Sequence, residues 1–397
     1  MLKESNFMTD SSNLLDTLIS AAYNGPVFGP DVSFGPQASY KLPAVKEQIK
    51  AIAEIFNHRL YTYIKVSYPG LDASAIKRLL QEIGPKAICF CPALTIGELT
   101  GTLNTERLGA AATAIGVMYL ADQSMDRGDE TVTSAIKLLV QEQITLPEER
   151  IGSWLEVLHH IEKNITLLAL PEDVPTILDC FNEQVLHNEV LLHELSMEYQ
   201  KTAPKGQPIF LEKQAKYIAK LMVMDAGFPS VTSSLYAIYR HDNPALPNLS
   251  KIHNNKSIAA LLTVCNAVVR IADEFGDWET DAGHHPEWGI FSINPFNQYH
   301  PAIVKELCSF AAIEDHTLID ELQSAFREFH TSPKKQKERG RFIVDSFFDQ
   351  ARIQINNLPQ EIKESYSLYI TLCMRVLEIG SVNILGDIAL ADVREQE

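Results

Sequence analysis

The chain has 397 residues, 46% of them apolar, which is enough for a sizeable core and excludes a disordered or fibrous protein. Its 51 acidic residues outweigh 34 basic ones, for a formal net charge of −17. Nucleic-acid backbones are held by clustered Lys and Arg, so this balance argues against a nucleic-acid partner and suits a metal or a cationic one better.

Six cysteines (Cys89, Cys91, Cys180, Cys265, Cys308, Cys373) are scattered along the chain, several inside apolar helical runs, and are expected to be reduced core thiols. Cys89 and Cys91 are too close for the usual zinc pair and have no second pair to match. The opening MLKESNFMTDSSNLLDTLIS has no basic start followed by an apolar core, and no apolar run of about 18 residues occurs. The sequence therefore predicts a soluble, cytoplasmic protein.

In chain order, residues 1–43 are rich in Ser, Asn, Gly and Pro and predict an irregular arm lying across a helical body. Residues 44–397 predict a single all-α domain with no period-2 strand runs and no internal repeat. Helices are expected over 44–66, 73–83, 106–126, 131–143, 148–168, 173–201, 208–240, 255–280, 301–311, 315–330, 334–357 and 360–385. Within 208–240, Gly227 and Pro229 interrupt the pattern, so this segment is either a broken helix lining a pocket or two helices joined by a turn.

The most informative stretch is Leu261 to Gly283, LLTVCNAVVRIADEFGDWETDAG. On a helix, Asn266, Arg270, Asp273, Asp277 and Asp281 share one face, while most other positions are apolar. A helix apolar on most sides is usually buried, and buried carboxylates must be paired or hold metal, so the stripe is expected to look into an interior cavity. A second helix repeats the pattern: Asp122 and Asp126, in YLADQSMDR, stand one turn apart where an apolar helix ends. Two facing carboxylate sets suit Mg²⁺, which takes oxygen ligands from a few carboxylates and from substrate phosphate. Arg270 and Arg127 could contact the phosphate through their planar donors, and Asn266 is a further polar group on the same face. Other candidates are weaker. Glu183 with His187 and Glu189 with His193 have the wrong spacing for a di-iron bundle. His284 and His285 sit in a turn sequence, and Arg339 and Arg341 follow a basic surface run. Nucleotide-binding glycine motifs and the serine-hydrolase elbow are absent.

These motifs resemble those of class I isoprenoid synthases, the terpene synthases. The wording is closest to the bacterial large terpene synthases of the tetraprenyl-β-curcumene synthase type, with YLADQSMDR and DEFGDWETDAG in the places of the two acidic motifs. KAICFCPALTIGEL and AGFPSV are similar to other parts of that group, and the overlap spans about residues 75 to 300. Gln123 stands where many terpene cyclases carry a second aspartate. The resemblance implies a helical bundle around a central cavity, with three Mg²⁺ held by Asp122, Asp126, Asp273, Asp277 and Asp281. The implied activity is that of a carbon–oxygen lyase, which ionises a linear prenyl diphosphate, releases diphosphate and forms a cyclic terpene. Tyr119, Phe228, Tyr236 and Trp278 are candidates to line the cavity around the resulting cation. Squalene and phytoene synthases use similar motifs, so head-to-head prenyl coupling is an alternative. A non-catalytic acidic helical scaffold is an alternative of another class. A homodimer, and peripheral membrane contact through an apolar product, are further expectations.

Overall fold

The computed structural model describes residues 43–67, 70–73, 76, 80, 83, 87, 104–126, 148–184, 215–276, 301–328, 346–374 and 376–377. At 43–50, 121–126, 148–156, 225, 273–276, 301 and 326–328 the description covers the backbone alone. Every regular element among the described residues is helical, as the periodicity predicts: α1 Pro43–Ser67, α2 Thr105–Asp126, α3 Glu148–Leu168, α4 Val174–Asn182, α5 Ala215–Asp225, α6 Phe228–Asp242, α7 Leu249–His253, α8 Lys256–Gly276, α9 Pro301–Phe310, α10 His316–Glu328 and α11 Gln360–Ser365. Further helical backbone covers 346–356 and 367–374. The expected arm at 1–43, apart from Pro43, and the helix at 131–143 lie outside the described residues.

Local chemistry explains several helix starts. An Asn or Asp just before a helix can accept the orphan N–H groups of its first turn. Asn104 Oδ1 accepts from Glu106 N (2.9 Å) at α2, and Asn248 Oδ1 from Lys251 N (2.8 Å) at α7. Asn255 Oδ1 accepts from Ser257 N (3.0 Å) at α8, and Asp315 Oδ1 from Thr317 N (2.8 Å) at α10. The 208–240 segment is two helices: α5 ends at Asp225, Gly227 takes a left-handed φ of 68°, and α6 starts at Phe228 with Pro229 in its first turn. Only glycine adopts that φ without strain.

Two helices are buried almost all round. In α2 every residue from Leu108 to Met118 is buried, and in α6 every residue from Ser230 to Ile238. At α2, Gly109 and Gly116 let α1 approach closely. A Cβ at Gly109 would lie 2.4 Å from Ile55 Cγ2, and one at Gly116 2.6 Å from the Phe56 ring. Burying each large apolar side chain contributes about 1.5–3 kcal/mol, so these contacts anchor the bundle. Helices α1, α2 and α3 pack on one another, while α5, α8 and α9 form a second group with α10 against α9. Helix α6 packs on α2, α3 and α4 and also on α8, and so joins the two groups. The thiols of Cys180, Cys265, Cys308 and Cys373 are free and buried, as expected. Among the described residues, no helix is long and apolar enough to cross a membrane.

Candidate functional site

Helices α2 and α8, which carry the described parts of the acidic motifs, both pack on α6. Arg107, at the start of α2, is ion-paired with Asp242, at the end of α6. His253, just before α8, contacts Ser233 Oγ at 3.0 Å, whereas Asn266, thirteen residues on, accepts from Phe228 N at 3.1 Å. Asn266 thus ties α8 to the start of α6, and Arg270 and Asp273 stand about 6 Å and 10 Å further along α8.

That end of α6 is the break itself. Asn266, 4% exposed, accepts the N–H of Phe228, one of the donors that a helix start leaves unsatisfied. On the other side, Gln184 fills the space beside Gly227. A Cβ there would lie 2.2 Å from Gln184 Nε2, and Gln184 Oε1 accepts from Ser230 Oγ at 3.0 Å.

The predicted residues divide as follows. Asn266 is buried and its oxygen is engaged by the break. Arg270 is half-buried on the last turns of α8. Tyr119 is half-buried and packs against the core, and Phe228 and Tyr236 are buried, the latter donating to Pro247 O at 2.8 Å. Asp122 and Asp126 of α2 and Asp273 of α8 are on helical backbone, their side chains outside the description. Arg127, Asp277, Trp278 and Asp281 lie outside the described residues. Among the described residues, no three His, Cys, Asp or Glu side chains group so as to hold a metal. The donor chemistry of the motifs fits magnesium, which takes carboxylate oxygens as ligands.

Compared with protein-family models, curated proteins and solved structures, the chain matches none.

Two polar clusters escaped the sequence reading. Arg240 of α6, 5% exposed, donates to Asp173 Oδ2 (2.6 Å), Glu172 Oε1 (2.9 Å) and Leu246 O (3.1 Å). Fully buried Asp173 also accepts from Leu249 N at 2.8 Å. The guanidinium beside Glu172 holds that carboxyl below its ordinary range. In the second cluster, His253 Nε2 lies 3.0 Å from both Ser233 Oγ and Tyr369 OH, and its Nδ1 lies 3.9 Å from Cys180 Sγ. Burial pushes the imidazole down to about 4 and the Cys180 thiol up to about 12. A thiol held that high is protonated at neutral pH and inert as a nucleophile. Ser233 is fully buried, so this pair joins helices and offers no surface to a substrate.

Proposed function

We propose that the protein is a Mg²⁺-dependent class I terpene synthase that ionises a linear prenyl diphosphate. What supports this reading is that the helices carrying Asp122 and Asp126 (α2) and Arg270 and Asp273 (α8) both pack on α6, α8 through Asn266 at the break that starts it. Asp122, Asp126 and Asp273, with Asp277 and Asp281 further along the chain, would hold the magnesium. When bound, the metal would neutralise charge on the leaving diphosphate. Arg270 supplies a fixed guanidinium at the same end and strengthens its hold as the phosphate oxygens gain charge. Tyr119 and Trp278 are proposed to face the chain that becomes cationic, where aromatic faces favour positive charge. Phe228 supports this end of the bundle from within the core, Tyr236 packs deeper in the core towards Pro247, and water exclusion rests on the apolar packing of α2, α6 and α8. Arg127 is proposed as a secondary contact to the substrate.

The test is substitution of the carboxylates one at a time. Asp122→Asn and Asp273→Asn are each expected to lower magnesium-dependent release of diphosphate from prenyl diphosphates more than about 100-fold, because lost charge stabilisation of about 3 kcal/mol corresponds to that factor. Circular dichroism and melting temperature should stay near those of the parent chain. Full turnover in both variants would sink the metal assignment.

A further inference from the structure

An unbroken helix through the core would satisfy its own backbone, so a break there needs devices to sustain it. This chain uses four. Gly227 adopts the left-handed φ of 68°, and Pro229 sits in the first turn of α6, where a missing N–H costs nothing. Asn266 of α8 takes the Phe228 N–H at 3.1 Å, and Gln184, just after α4, packs against Gly227 while accepting from Ser230 at 3.0 Å. Asn266 is 4% exposed, Ser230 1% and Gln184 9%. Buried polar side chains are costly unless bonded, so this is an expensive arrangement, sustained one turn before Arg270 and two before Asp273 of α8.

Its consequence is mechanical. Asn266 lies one turn before Arg270 and seven residues, about 10 Å, before Asp273 on a continuous helix. A slip of α8 by one residue along α6 would shift it about 1.5 Å and rotate it about 100°, turning its acidic face away. Magnesium tolerates little departure from octahedral oxygen geometry.

We propose that Asn266 and Gln184 are positioning residues: by clasping the α5–α6 break they fix the height and rotation of α8 on α6, and so the placement of Arg270 and Asp273 on its last turns. This rests on the magnesium site proposed above, and it assigns Asn266 a role that acts through the backbone of Phe228.

The experiment compares Asn266→Leu with Asn266→Asp in the full chain, by hydrogen exchange over 226–231 and 262–272 and by magnesium titration of diphosphate release. Leucine is close in size but accepts nothing, whereas aspartate keeps the acceptor and places its charge at a helix start, where it is favoured. Asn266→Leu is expected to exchange at least about tenfold faster around Phe228 and to raise half-saturating magnesium about tenfold, with Asn266→Asp restoring both toward the parent. Unchanged exchange in Asn266→Leu would overturn the clasp. Faster exchange with unchanged magnesium dependence would overturn the positioning role and leave a purely structural one. If the parent chain released no diphosphate at all, the functional reading would fall, while exchange would still decide whether Asn266 clasps the break. Should Asn266→Leu not fold, Gln184→Ala, which opens space beside Gly227 and leaves the Phe228 bond intact, carries the same comparison.

Discussion

His253 shows how much a single residue can set in this molecule. The groups facing it are Ser233 of α6, Cys180 of α4, and Tyr369, whose ring also meets Tyr236 edge-on at 5.3 Å. None of them carries a charge at neutral pH, so nothing offsets the cost of burying an imidazolium, and the ring titrates at about 4. Because its folded value is depressed, the unfolded chain takes up the proton first. The stability it contributes is therefore fully present above about pH 6.5 and is lost as pH falls toward 4, amounting to about 3 kcal/mol by pH 4. Urea unfolding at pH 7.5, 6 and 5 is expected to show this loss in the parent chain and a smaller one in His253→Gln. Parallel pH profiles would contradict it.

Among the elements, the turn between α3 and α4 is bound to the end of α6 by one buried charge. Arg240 meets Asp173, which is fully buried, and Glu172, whose side chain is 51% exposed. Water screens the second pair and cannot reach the first, so the two carboxylates differ in weight. Asp173→Leu is expected to cost about 3–5 kcal/mol in chemical unfolding, since it leaves the guanidinium buried without its main partner and Leu249 N–H without an acceptor. Glu172→Gln should cost clearly less, and the double variant Asp173→Leu/Arg240→Met less than the sum of its parts. Equal losses for the two carboxylates would refute this account.

This pair also marks the limit of what the sequence reveals. Helix α3 matches its expected span of 148–168, because its pattern is local. The α5–α6 break is written in AGFP, since glycine and proline act where they stand. Arg240 and Asp173, by contrast, are separated by 67 positions, and Asp173 stands at a capping position yet spends its carboxylate on Arg240 and Leu249. Helix α7 has five residues, too few to show a period, so the sequence does not predict it. Of the candidate site, the helices carrying Asp122, Asp126 and Asp273 are legible from the sequence pattern. The role of Asn266 was not, because its partner is a backbone N–H that no side-chain pattern encodes.

For the whole molecule, a chain of net charge −17 would repel a diphosphate unless cations are placed where the anion binds. The proposed place is the end of the bundle formed by the C-terminal turns of α2 and α8, which carry Asp122, Asp126 and Asp273 and both of which pack on α6. The central claim is that this end ionises a prenyl diphosphate. The most direct measurement is gas chromatography of products, with diphosphate assayed in parallel, from C10 to C35 prenyl diphosphates with and without Mg²⁺. The account predicts diphosphate release and terpene hydrocarbons or alcohols from at least one chain length, only when magnesium is present. A squalene-like product requiring a reductant would assign head-to-head coupling instead. No diphosphate release from any chain length, with no magnesium-dependent rise in melting temperature, would contradict the account and leave an acidic helical scaffold.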